Sequence, residues 1–256
     1  MTRIHRTSYK TPDDFVLKGK RLTTILNAHV LWNESHHRKG TRAVFEEADF
    51  SNLVINPKED ITDFFTVSSG ITGQQYFIET LLPKGPISSP EIPIGINLSG
   101  IVFKKCILDN VNLRLINFDK ADFSGSSLRG AILTDSTFKQ ANFSGTNLLG
   151  ANLGGAKCDN AIFTMSDLRE AWFRDANLPF AQMNRVLAKR ALFRGANGWK
   201  INLTESDLER ANFLGGWFEK AIFYDCNLQG AGFEYAKVDG ADFSLADLRG
   251  SNITPK

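Results

Sequence analysis

The chain has 256 residues, 42% of them hydrophobic and 23% charged, with a formal net charge of +2. That balance suits a foldable chain and excludes a strongly acidic or basic polyelectrolyte. No stretch approaches 18 uninterrupted apolar residues, and the N-terminal MTRIHRTSYKTPDDF lacks an apolar core, so neither a membrane span nor a secretory leader is expected and the compartment reads as cytoplasmic.

Residues 1–42 hold nine basic and three acidic side chains and all four histidines. Residues 1–20 lack periodicity and read as a loosely docked basic arm. In 22–35, Leu22, Ile25, Leu26 and His29 fall at i, i+3, i+4 and i+7, the spacing of an amphipathic helix, and Gly40 follows as a stop. His29 and His36 would share a face of that helix, with His37 beside them. No Cys or acidic ligand stands at matching spacing, so a polar helix end is preferred to a metal site.

Ala43 before Phe45 and Ala48 before Phe50, then Ile55, begin a five-residue pattern that Pro57 ends. Residues 56–93 break away from it for 38 residues, too long and too apolar for a simple connection. A short hairpin or helix over 72–82 and an extended return from Pro83 to Pro93 are expected. Phe64, Phe65, Tyr76 and Phe77 make this excursion a candidate recognition loop. Residues 43–93 carry eight acidic and two basic side chains.

From Leu98 to Ile253 every fifth residue is a centre, mostly Leu or Phe, with a small residue two positions earlier: Ala121 before Phe123, Ala141 before Phe143, Ala241 before Phe243. A period of five is neither that of a helix nor that of a strand. It implies a superhelix in which each repeat makes one side of a coil. Ala-Asp-Phe-Ser-Gly at 121–125, Ala-Asn-Leu-Gly-Gly at 151–155 and Ala-Asp-Leu-Arg-Gly at 246–250 resemble the pentapeptide-repeat family, over about 160 residues. The resemblance implies an all-β fold, a right-handed quadrilateral β-helix with four repeats per coil. It likens His29-x-x-Trp32 with Gly40-Thr41-Arg42-Ala43 to a short helical cap, which an exposed solenoid end requires. The residues support four repeats independently, because residue type recurs every twenty: Phe103, Phe123, Phe143, Phe163 in one column, Leu108, Leu128, Leu148, Leu168 in the next. The faces are named A (centres 98 to 238), B (103 to 243), C (108 to 248) and D (113 to 253). About eight coils at ~4.8 Å make a rod of roughly 38 Å with a filled interior. The expected organisation is an arm and capping helix (1–42), first repeats (43–55), an excursion (56–93) and the rod (94–256).

Cys106 and Cys226 take small inward positions and Cys158 a centre, so all three are expected buried and free. The first two lie about 29 Å apart, beyond the ~7 Å reach of a disulfide. Enzyme motifs are missing: no GxSxG, HExxH, CxxC, P-loop or GxGxxG occurs. An enzyme working through the N-terminal histidines is the least favoured class, and no cofactor is expected. Gly130, Gly150, Gly230 and Gly250 belong at coil corners.

Departures from the repeat are more informative. Face A presents Pro179, Phe180, Trp199 and Trp217 outward, with Lys200, Glu219 and Lys220, where its first coils carry Ser99, Gly100, Asn117 and Asp119. This is a candidate interaction patch: Phe180, Trp199, Lys200, Trp217, Lys220. The alternative is local repair, with Trp199 folding over the gap left by Gly198 at a centre. Met183 and Ala188 also break their columns, with bulkier Val186 and Ile201 nearby, and suggest a bend or waist over 183–203. Arg169, Arg174, Lys189, Arg190 and Arg194 form a candidate basic patch on faces C and D. Glu170, Asp175 and Glu209 stand close enough to make a mixed-charge face the preferred reading over an anion or nucleic-acid site.

The leading functional reading is a non-enzymatic protein–protein interaction module whose partner is unknown. The runner-up follows from the family, which includes Qnr-like DNA mimics that bind gyrase and protect topoisomerases from inhibitors. Mimicry of DNA needs a strongly negative rod, and residues 94–256 carry 19 basic and 17 acidic side chains. Neither membrane association nor direct nucleic-acid binding is expected. An unprotected last coil at Phe233–Ile253 would favour a homodimer, end to end or through the face A aromatics.

Overall fold

The computed structural model describes residues 16–17, 20–50 and 96–253. From residue 96 onward each repeat does the same thing. The residue before the centre bridges in parallel to its equivalent twenty positions on, as in Asp122↔Asn142, Asn142↔Ile162 and Asn227↔Asp247. The centre donates its own N–H to the next coil, Phe143 to the Ile162 carbonyl at 2.6 Å. Two turn residues follow, the second left-handed whether it is glycine or not (Lys120, φ 60°; Gly125, φ 68°; Phe180, φ 59°). Most turns are closed by the next small residue, Ala121 N–H to Phe118 O at 2.9 Å, and a positive φ at the third position gives them type II geometry. Four sides complete each twenty-residue coil. The result is a β-helix whose strands are bridge-length, so extended pairing is sparse.

The small residues and the centres fill the interior. Ala121, Phe123, Ala141 and Phe143 are all buried. Phe rings stack down face B, with Phe123, Phe143 and Phe163 at 4.9 Å per step. At Phe163 and Phe173 the rings meet edge-on at 5.8 Å, and stacking passes to face D through Phe193, Phe213 and Phe233. Met183 falls at this handover on face B, where stacking resumes lower down as Phe223 on Phe243 at 4.8 Å. The ladder crosses the region unchanged, Met183 N–H to Asn202 O and Ala188 N–H to Asp207 O both at 2.7 Å, so the expected waist does not open the hydrogen bonding.

Some turns lack their own closing bond, and serines of the following coil replace it. Ser206 Oγ accepts from Val186 N–H at 3.1 Å and donates to Met183 O at 2.9 Å. Ser126 serves Cys106 and Phe103, and Ser136 serves Ile116 and Leu113, in the same way. Cys106, Cys158 and Cys226 are buried and free, and burial pushes the Cys226 thiol up to about 12.

Gly198 is a centre without a side chain for a specific reason. A Cβ there would meet the Phe218 ring at 2.4 and 2.5 Å, and one at Gly216 would meet the same ring at 2.5 Å. Phe218 therefore fills the gap from inside, while the Trp199 ring packs edge-on against Phe180.

The N-terminal end departs from expectation in detail. Val16–Leu17 (β1) pairs antiparallel with Lys20–Arg21 (β2), where only an arm was expected. The helix α1 runs Leu22–Glu34. It stops before Gly40, at His36 and His37, both left-handed (φ 52° and 70°), so His36 shares no helix face with His29. Gly40 has another job: a Cβ there would lie 2.1 Å from Ala28 O, because the chain passes directly back over α1.

Val44–Glu46 (β3) pairs in parallel with Val102–Lys104 (β4), and Phe45 stacks on Phe103 at 5.1 Å. Partners here are 58 positions apart instead of 20, an excess of 38 residues. Residues 43–50 thus lie as a half-coil on the first full coil. The excursion, with Phe64, Phe65, Tyr76 and Phe77, lies outside the described residues.

Candidate interaction face

Face A gathers its aromatics because positions twenty apart stack. Phe180 and Lys200 occupy the same corner position in consecutive coils, and Trp199 is the turn residue beside Lys200. The Phe180 and Trp199 rings meet edge-on at 4.8 Å, and the Lys200 ammonium sits 4.6 Å from the Trp199 ring centre and 5.6 Å from that of Phe180. Trp217 lies across the face, on the strand side, 54% exposed. Its cation is Lys237, at 5.2 Å, which the sequence reading missed although it stands twenty positions on. Lys220 continues the corner column below Lys200. The patch is thus two clusters, Phe180–Trp199–Lys200 and Trp217–Lys237, on diagonal positions of one face.

Faces C and D are arranged differently. Arg169 grips Asp167 with two bonds, at 2.9 and 2.6 Å. Arg174 pairs with Asp175 at 3.2 Å and Arg190 with Glu170 at 3.6 Å. Lys189 lies between Glu209 at 2.9 Å and Asp207 at 3.2 Å, and the Glu209 hydrogen bond, then Asp207, raise its pKa. Arg194 has no carboxylate within 4 Å among the described residues. These cations are mostly neutralised in place, by carboxylates that include Asp167 and Asp207, which the sequence reading passed over. The signal was in the repeat itself: in Asp-Leu-Arg the two charges flank one inward centre and point out together. Asp247 and Arg249 repeat the motif, and the Arg249 hydrogen bond holds the Asp247 carboxyl at about 2.

His29 is neither a ligand nor a surface residue. It is fully buried, accepts from Ala43 N–H through Nδ1 at 3.0 Å, and donates from Nε2 to Ser99 O at 2.9 Å. Asn33 Nδ2 donates to the carbonyls of Asn97 and Ser99 beside it. Trp32 stacks on His29 and on His37, at 5.4 and 3.8 Å. Among the described residues no group of His, Cys, Asp and Glu is placed to hold a metal, and no helix is long and apolar enough to cross a membrane.

Comparison with known proteins agrees with this geometry. The pentapeptide repeats family matches in eight copies over residues 96–135, 121–157, 151–187, 189–223 and 226–254. The chain belongs to that family. No curated protein matches it. Among solved structures, HetL of Nostoc sp. strain PCC 7120, a pentapeptide repeat protein involved in heterocyst differentiation regulation, is 18% identical with a TM-score of 0.37, covering 87% of this chain and 94% of HetL. Full-length QnrB1, a plasmid-mediated fluoroquinolone resistance protein, is 16% identical with a TM-score of 0.33, covering 62% and 84%. A pentapeptide repeat protein of the Arabidopsis thaliana thylakoid lumen is 29% identical with a TM-score of 0.22, covering 40% and 65%.

Proposed function

We propose that the chain is a non-enzymatic interaction module, a right-handed quadrilateral rod with α1 capping one end, which offers face A to a partner protein. The right hand is the ordinary sense for parallel strands joined by crossovers. The observation that carries the reading is the contrast between faces: Phe180, Trp199 and Trp217 stand out on face A with cations laid on their rings, while charges on faces C and D are spent on one another. Exposed apolar side chains also stand on other faces, such as Met165 and Tyr224 on face B and Trp172 on face D. What sets face A apart is that its aromatics stand with lysines laid on their rings, and such clusters mark contact surfaces. The excursion at 56–93, acidic and aromatic in sequence, is a second contact element in this proposal.

The test compares the full chain with Trp199→Glu/Trp217→Glu and with a deletion of residues 58–91, in pull-downs from bacterial lysate. Loss with the tryptophan pair alone supports face A. Loss with the deletion alone moves the site to the excursion. Retention by both variants removes the proposal. Gyrase among the captured proteins would instead revive topoisomerase protection, against which the rod's balance of 19 basic and 17 acidic residues counts. Light scattering of the same samples decides whether a second copy is a partner.

A further inference from the structure

We infer that the ligand of face A is an extended acidic segment of another polypeptide; this rests on the reading of face A as the partner surface. The first observation is an imbalance of pairing. Lys200 and Lys220 hold the same left-handed corner position in consecutive coils, φ 54° and 58°. Their backbones are therefore about 4.8 Å apart, and stacked like charges repel. Several stacked cations elsewhere are relieved by carboxylates, Arg185 by Glu205 at 2.8 Å, Lys189 by Glu209 and Arg190 by Glu170, while isolated ones such as Lys120 and Arg194 are not, among the described residues. Among the described residues, Lys200, Lys220 and Lys237 have no carboxylate within 4 Å, although Glu219 and Asp239 stand on the same face. Lys200 and Lys237 lie on aromatic rings instead. An ammonium seated on a ring keeps its outward N–H donors free for an incoming anion. Glu219 and Asp239 leave the patch only slightly positive, so the attraction is concentrated at the Lys200–Lys220 corner.

Size selects the form of the ligand. From Phe180 to Lys237 the patch spans three coil steps, about 14 Å, the length of four or five extended residues. Stable interfaces between folded partners bury roughly 800 Å² on each side, far more than a strip three coils long and one short strand wide. A linear segment fits, with carboxylates at the lysine corner and apolar side chains against Trp199 and Trp217.

The probe is a fluorescein-labelled octapeptide of alternating Glu and Phe, read by anisotropy on the full chain beside its Gln-for-Glu analogue. The acidic peptide is expected to bind about tenfold tighter, as two charge-assisted contacts imply, with the gap closing at high salt. Lys200→Glu/Lys220→Glu should reverse the preference towards a Lys-and-Phe peptide; both sites are exposed corners, and circular dichroism verifies that the rod is intact. Equal affinity for the Glu and Gln peptides, or a preference that survives the charge reversal, overturns the inference. Benzoylphenylalanine placed at position 199 separates the two levels of argument. If it crosslinks a protein in lysate while the acidic peptide shows no advantage, the acidic ligand is wrong and face A stands. If neither the crosslink nor the peptide appears, both fall.

Discussion

The interior of the rod and the joint at its N-terminal end are held by opposite kinds of contact. Inside, the same apolar contact is made in coil after coil: Phe143 has a ring 4.9 Å above and another 4.9 Å below. The stability of such stacks is close to a sum over neighbouring layers. At the joint one buried imidazole spans α1 and the first coils, making bonds that occur once. The stacked rings carry no titratable group, so their contribution is indifferent to pH. A single polar contact makes the joint sensitive to it.

The largest effect should come from the interior. Phe143→Ala removes the middle of a stack whose neighbours are fixed by their own ladders, so the cavity stays open. A loss of ~3–5 kcal/mol is expected in urea unfolding; a loss below ~1 kcal/mol would mean that adjacent coils relax into the space. Next comes a substitution that the repeat pattern alone would recommend. Gly198→Leu restores the consensus centre, yet its Cβ would lie 2.4 Å from the Phe218 ring. Overpacking of this kind costs about 1–3 kcal/mol. A stabilised Gly198→Leu protein would show that Phe218 does not own that space.

The difference between the two regions also explains what could be read in the sequence. A column that must be filled every twenty residues writes itself into the chain, so the centres, the small residues, the coil size and the buried cysteines were legible. The stacking of Phe180 above Lys200 was legible on the same ground. The filling of the Gly198 gap by Phe218 was not legible, because ring tilt leaves no mark in a sequence. The joint was illegible for another reason. The partners of His29 are the backbone N–H of Ala43 and the backbone carbonyl of Ser99, groups every residue possesses. The end of α1 was read to within a residue, but His36 was wrongly placed on the face of His29, because His36 and His37 take left-handed conformations usually given to glycine.

The joint supplies the third expectation. Burial, reinforced by nearby Arg42 and His37, lowers the His29 pKa although its bond to Ser99 opposes the shift. The unfolded joint therefore binds the proton more readily than the folded one. Stability from the neutral ring is complete above about pH 6.5 and declines as the pH falls below it, by up to ~1.4 kcal/mol per pH unit until the lowered pKa is reached. Protonation would also turn Nδ1 into a donor facing the Ala43 donor. Hydrogen exchange of α1 amides should accelerate between pH 7.5 and 5.5 relative to rod amides, beyond the intrinsic pH effect. In His29→Gln that excess should vanish; an excess that persists would move the proton to another group.

The smallest effect should be found at the surface ladders of the rod. Asp122 bonds Ser124 N–H at 3.0 Å and pairs with Lys104 at 3.2 Å. Partial burial pushes its carboxyl up, but the hydrogen bonds from Ser124 and the Lys104 ammonium pull it further down. The stability it contributes is present above about pH 4 and is lost as the pH falls through the lowered value. Asp122→Asn keeps the bond to Ser124, as Asn142 does for Ser144 N–H at 3.0 Å, and gives up only a pair with Lys104 whose side chain is 46% exposed. Solvent screens that pair, so a change of no more than ~0.5 kcal/mol at neutral pH is expected. A loss of several kcal/mol would show that the charged exterior carries stability assigned above to the stacked rings.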